Sequence, residues 1–179
     1  QSHVHARNLI YQGYEKSLIK VFGSARFSEK WRQVLSQITP ISDIRKVDSN
    51  RLKVVYMEYQ VGYVINDKQQ DFLVERLASE NSIELVVKPA TRERKTAAVK
   101  IKSNDVLRVD ESVHSLRLIQ WADVIISTGS SIGLEVALQN KILLSASFLN
   151  LTPTLLENLG LAERWDTVSG LVDRVIAIS

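Results

Sequence analysis

The sequence predicts a doubly wound α/β domain built on a parallel sheet, and three features predict it. Short apolar segments alternate with amphipathic helical segments along most of the 179 residues, the pattern of linked βαβ units. The apolar segments are nearly continuous, as strands are when helices cover both faces of their sheet. Composition supplies the core that this needs: 45% hydrophobic and 24% charged residues make an ordinary globular mixture for one domain.

In chain order, residues 1–17 are polar and mixed, without a clear period, and read as an arm or linker end. Ser17–Phe22 reads as a short strand stopped by Gly23-Ser24. Ser28 is placed to cap a helix carrying Trp31, Val34, Leu35 and Ile38 on one face and ending before Pro40. Residues 1–45 thus form an N-terminal arm and strand–helix unit, and 46–179 the main domain. There, Leu52–Met57, Ile83–Val87, Val106–Val109, Asp123–Ile126 and Ile142–Ser145 are the predicted strands. Between and after them, helices are predicted over Asp67–Ser79 (with Phe72, Leu73, Arg76 and Leu77 at helical spacing), Val113–Ala122, Ser131–Asn140, Thr152–Leu159 and Leu171–Ile178. The basic stretch Thr91–Lys102 has no readable pattern.

Several function classes are disfavoured at once. With no cysteine in the chain, neither a disulfide framework nor a thiolate metal site is available. The formal charge is only +3, and the one dense basic stretch, Lys88–Lys102, suits phosphates on a small ligand at least as well as a nucleic-acid face. No apolar run reaches the roughly 18 residues of a membrane span, and no signal peptide is visible. The first residue is Gln1 rather than Met, which predicts a processed or cropped chain. There is no His-Glu-x-x-His, no Asp-x-Asp, no Gly-x-Ser-x-Gly elbow and no early Gly-x-Gly-x-x-Gly. Neither a metal nor a cofactor is expected.

An open α/β sheet binds its ligands beyond the carboxyl ends of its strands. Of the segments placed there, Ser127-Thr-Gly-Ser-Ser-Ile-Gly-Leu-Glu135 stands out. A small-residue turn between strand and helix lets backbone N–H groups approach an anion. Gly129 removes bulk from the turn, and Ser130 and Ser131 add hydroxyl donors. Glu135 sits one position too late to complete a capping box from Ser131, since Leu134 occupies that place. A carboxylate at that place could accept the two hydroxyls of a ribose. Arg26, in the second Gly-Ser turn, and Gln60, after the first long strand, are weaker candidates. His3, His5 and His114 carry little signal.

The stretch from Trp121 to Lys141, with its Ala-Asp, its Gly-Ser turn, its Glu and its Asn-Lys bend, resembles a recurrent segment of GT-B glycosyltransferases. Capsule-polysaccharide and CDP-glycerol transferase-like enzymes carry similar versions, and the likeness extends over roughly residues 50–145. It implies a Rossmann-like domain of the GT-B C-terminal type. In that family the turn contacts the donor diphosphate and the Glu binds the ribose, roles that fall here on Gly129, Ser130, Ser131 and Glu135. Val109–Leu116 matches the segment lining the nucleobase pocket. Val87-Lys-Pro-Ala-Thr-Arg92 resembles a Lys-Pro-His-Pro-Arg neighbourhood in which Ala90 and Thr91 replace the His and second Pro. Lys88 and Arg92 remain as phosphate contacts. The non-hydrolysing UDP-sugar 2-epimerases share a similar turn and Glu.

The resemblance implies a nucleotide-sugar donor as partner, a glycan or lipid-linked acceptor, and an N-terminal acceptor domain missing from this chain. It implies a role in cell-surface polysaccharide synthesis, in the cytoplasm or on the inner membrane face, with this chain alone inactive. The alternatives are a 2-epimerase-like enzyme, or a non-catalytic nucleotide-binding or assembly module on the same fold.

Overall fold

The computed structural model describes residues 3–24, 28–38, 50–58, 67–90, 106–110, 112–150 and 153–179. Arg26, Gln60 and Arg92 lie outside them, as does the basic stretch 91–102. The chain divides into two compact units, residues 1–38 and 39–179.

The first unit departs from the sequence reading. Its polar start is a helix, α1 (His3–Tyr11), closed by a Schellman arrangement. Tyr14 N–H donates to the Leu9 carbonyl at 3.1 Å and Gly13 N–H to that of Ile10 at 3.0 Å. Gly13 supplies the left-handed residue this needs, at φ +96°. Ser17–Phe22 is not a strand. Lys16–Leu18 is one 3-10 turn, and the residues after it join no sheet, leaving Phe22 88% exposed. Strand composition without a neighbouring strand to pair with does not make a strand. The capped helix is present as α2 (Glu29–Ser36), with the Ser28 hydroxyl accepting from Trp31 N–H at 3.3 Å.

The second unit holds a six-stranded sheet of β1 (Leu52–Met57), β2 (Ile83–Lys88), β3 (Leu107–Arg108), β4 (Val124–Ser127), β5 (Ile142–Ala146) and β6 (Glu163–Trp165). All neighbouring pairs are parallel, in the order β3-β2-β1-β4-β5-β6. This is the predicted doubly wound, Rossmann-like fold, with one strand more than the sequence indicated. Strand order reverses between β1 and β4, which makes their junction the topological switch point.

The strands are buried on both faces because both are covered. On one face Val54, Tyr56, Leu85, Val87, Val124, Ile126 and Leu144 pack with α3 (Asp67–Ala78) and α7 (Val168–Ile178), which contribute Leu73, Val74, Leu77, Leu171, Val172 and Val175. Val55, Val86, Ile125 and Leu143 point to the other face, the side of α4 (Ser115–Trp121) and α5 (Gly133–Leu138). Helix α3 buries Leu73, Val74 and Leu77, whereas Phe72 is 49% exposed and Arg76 faces solvent, so the buried stripe is rotated from the predicted one. A four-residue helix, α6 (Leu155–Asn158), precedes β6 and is shorter than the predicted span, because Pro153 and the cap at Thr154 delay its start. Among the described residues no helix is long and apolar enough to cross a membrane.

Candidate functional site

Since every strand runs the same way, one edge of the sheet gathers all the carboxyl ends. Beside the switch point β1 delivers Glu58, and β4 delivers Ser127 and the Thr128–Ser131 turn. Lys88 ends β2, and Asp110 follows β3.

The turn is shaped by a glycine that any other residue would replace only with strain. Gly129 has φ +98°, and a Cβ built on it would stand 2.4 Å from Thr154 Cγ2. The bulk that glycine omits is thus filled by this chain's own Thr154, on the side of the turn facing α6. Gly133 is a second seat for the same element: its Cβ would meet Leu156 Cδ1 at 2.3 Å and Leu143 Cδ2 at 2.9 Å. Between them, a cavity of about 10 Å³ lies among Ser127, Leu143, Ser145, Thr154 and Leu156, room for one water at most. The side of the turn facing α6 is closed, and the opposite side is where a ligand would have to approach.

Helix α5 starts two residues later than the sequence suggested. Its N-cap is Ile132, without a side-chain bond, because Ser130 and Ser131 form a turn of their own. The Ser130 carbonyl accepts from Gly133 N–H at 3.0 Å, and its hydroxyl from Ile132 N–H at 3.4 Å. Among the described residues, the backbone N–H groups of Gly129, Ser130 and Ser131 have no acceptor within the chain. Three successive free donors beside a switch point form a local concentration of positive dipole. Ser130 is half-buried and Ser131 exposed, so both hydroxyls are accessible to some degree. Two buried hydroxyls, of Ser127 and Thr128, stand without partners at the root of the turn. Nothing in the sequence pattern of residues 127–135 distinguishes these two hydroxyls from their neighbours.

Glu135 lies in the first turn of α5 and is fully buried, on the same edge as the turn. Lys88 is buried too, at 2% exposure, and its ammonium donates to the Asp110 carbonyl at 3.5 Å, towards β3. With β1 lying between β2 and β4, a group bridging Lys88 and the Gly129 turn has to span about 10 Å. Gly129, Ser130 and Ser131 are therefore brought together, while Lys88 stands apart from them.

The β3-β2-β1 half of the edge carries a second charged feature. Arg108 reaches over β2 and grips Glu58 through two bonds of 2.6 and 2.7 Å; the Glu58 side chain is 2% exposed and that of Arg108 31%. Below them the Tyr56 hydroxyl donates to Gln70 Oε1 at 3.0 Å. Burial, and then the negative charges of Glu58 and Asp71, push that phenol well above its ordinary range. His114 is the N-cap of α4, its Nδ1 accepting from Leu116 N–H at 3.3 Å, so a structural duty accounts for it.

The β4-β5-β6 half is organised around Glu157. Thr154 and Glu157 form a complete capping box on α6, legible as Thr-x-x-Glu and overlooked in the sequence. The Glu157 carboxylate also accepts from the hydroxyls of Ser145 and Ser147, the latter at 3.1 Å, and from Arg164 at 3.3 Å. Burial alone would raise its pKa. The Ser145 hydroxyl, the Thr154 N–H, the Ser147 hydroxyl and Arg164 outweigh that and hold it below the ordinary carboxylate range.

The fold, a parallel sheet flanked by helices, has counterparts among solved structures of the GT-B fold. Thermosulfurimonas dismutans KpsC, a beta Kdo 2,4 transferase, matches 92% of this chain with 55% of its own, at 15% identity and a TM-score of 0.58. The UDP-GlcNAc 2-epimerase of Methanocaldococcus jannaschii, in complex with UDP-GlcNAc and UDP, matches 99% of this chain with 52% of its own, at 15% identity and a TM-score of 0.61. The wall teichoic acid polymerase TagF matches 84% with 39% of its own, at 10% identity and a TM-score of 0.52. No protein-family model and no curated protein matches the chain. The chain has the fold of one portion of these GT-B proteins, and it spans about half the length of the structures it matches or less.

Proposed function

We propose that this chain is the nucleotide-sugar-binding domain of a glycosyltransferase of cell-surface polysaccharide synthesis. By itself it binds a nucleoside diphosphate and transfers no sugar. The observation that carries the reading is the run of three free backbone N–H groups at Gly129–Ser131, on the switch-point edge where this fold class binds ligands. Preorganised N–H donors suit a diphosphate both as part of a bound donor and as a departing group. Ser130 and Ser131 add hydroxyl donors, Lys88 and Arg92 supply cations, and Glu135 accepts from the ribose hydroxyls. The partner domain, absent from this chain, brings the glycan or lipid-linked acceptor and the catalytic base. Such an enzyme works in the cytoplasm or on the inner membrane face.

Titration calorimetry with UDP, CDP and GDP tests this on the 179-residue chain. One of the three binds, and Glu135→Gln weakens it about ten- to a hundredfold, the worth of a charge-assisted hydrogen bond. Full burial of Glu135 makes this substitution the easiest way to break the reading. An unchanged affinity returns Glu135 to a structural role, and no binding by the folded chain removes the nucleotide reading.

The likeness to a UDP-GlcNAc 2-epimerase supports a second reading of the same turn. It calls for additional carboxylates and a histidine near the sugar. Stereochemical change at sugar C2 by the full-length protein, rather than sugar transfer, would select it.

A further inference from the structure

One side chain of the Gly129 turn takes part in holding it, the Ser130 hydroxyl that accepts from Ile132 N–H at 3.4 Å, but Gly129 itself has none. What it leans on is Thr154, whose methyl occupies the space of the missing Cβ. The position of Thr154 is in turn fixed by Glu157: Thr154 N–H donates to Oε2 at 3.2 Å, and Glu157 N–H donates to the Thr154 hydroxyl at 3.3 Å. The same carboxylate is tied to the end of β5 through Ser145, to the residue after it through Ser147, and to β6 through Arg164. Asn150 Nδ2 adds a bond to the Thr128 carbonyl at 3.4 Å, joining the segment after β5 to the base of the turn. Three chain segments converge on one buried carboxylate, whose hydrogen bonds among the described residues go to none of residues 128–131.

We propose that Glu157 is a positioning residue for the Gly129 turn. It fixes where Thr154 seats, and Thr154 sets the direction in which the three free N–H groups point. As far as it concerns ligands, the inference rests on the nucleotide reading above. A carboxylate suits the task because it accepts four bonds at once from hydroxyl, amide and guanidinium donors. A glutamine of the same shape has one acceptor oxygen and presents an NH₂ group to donors that need an acceptor.

The test compares wild type with Glu157→Gln and Thr154→Ser, the latter keeping the capping hydroxyl and deleting only the methyl. In the ligand-free, ¹⁵N-labelled chain, both substitutions should move the amide signals of Gly129, Ser130 and Ser131. By calorimetry Glu157→Gln should weaken CDP, UDP or GDP, whichever wild type binds, about tenfold, with the matching nucleoside unaffected. If Glu157→Gln does not fold, Ser147→Ala removes a single bond and should give a smaller loss in the same direction. Unmoved turn signals, or equal losses for nucleoside and diphosphate, overturn the positioning role. Moved signals in a chain whose wild type binds no nucleotide support the positioning role and overturn the nucleotide reading instead.

Discussion

The two halves of the sheet's carboxyl edge, on either side of the switch point, are built from different chemistry. On the β3-β2-β1 side full charges dominate: Glu58 is gripped by Arg108, and buried Lys88 faces the Asp110 carbonyl. On the β4-β5-β6 side the turn offers glycine, hydroxyls and backbone N–H groups, with Thr154 packed behind Gly129. The cations already have oxygen partners, while the uncharged donors of the turn have none among the described residues. The N–H donors that lack an acceptor therefore lie where charge is lowest and the backbone most constrained.

The largest expected effect breaks the geometric half. Gly129→Ala forces a left-handed backbone and a clash with Thr154, which together should cost about 2–5 kcal/mol of stability in denaturant unfolding. Gly133→Ala, with helical backbone and only flexible leucine ends to displace, should cost about 1–3 kcal/mol. A reversed order would mean that the positive φ at 129 is not what demands glycine.

Next comes the charged half. Arg108→Met leaves the buried Glu58 carboxylate without its two-pronged partner. The loss should be about 2–3 kcal/mol, below the ~3–5 of a fully buried pair because Arg108 is partly solvated. Urea unfolding at pH 7 measures it, and no loss at all would mark the pair as ornamental.

A smaller effect, dependent on pH, belongs to Glu157. Its folded-state pKa is depressed, so the stability it lends is complete above the ordinary carboxylate range and is lost as pH falls through the folded value. Glu157→Gln should cost about 1–2 kcal/mol at pH 7, and the gap from wild type should close as the pH is taken below about 4. A gap that stayed constant down to pH 3 would show that shape, not charge, matters there.

Smallest of all is the exposed pair between Glu163 and Arg174, at 2.8 Å. The Arg174 guanidinium holds the Glu163 carboxyl below its ordinary range, yet solvent screens both partners. Arg174→Gln should leave the melting temperature unchanged within error.

Sequence reading succeeded where burial on both faces writes its own pattern. Four of the strands, β1, β2, β4 and β5, are nearly continuous apolar runs, and each was legible to within a residue or so. It failed where tertiary pairing decides. Glu163-Arg-Trp165 is polar and becomes a strand only because β5 offers a free edge. Ser17–Phe22 has strand composition but no neighbour. Helix α1 buries no residue, so it has no apolar stripe to read, and Gly13 was its one punctuation mark. The turn was found through its small residues, but the reason for Gly129 was not, because Thr154 is 25 positions away and the contact is long-range. The Thr-x-x-Glu box was legible and passed over, since Glu157 sits in a helix of only four residues.

The central claim is that a nucleoside diphosphate binds at the Gly129 turn, and location tests it more directly than affinity. Amide chemical shifts of the labelled chain, followed while CDP, UDP or GDP is added, report where the ligand sits. The account predicts the largest changes at Gly129, Ser130 and Ser131, spreading into the first turn of α5 at Glu135. Changes confined to the first unit, around the roughly 540 Å³ cavity lined by His3, Arg7 and Lys16, with the turn silent, would contradict it.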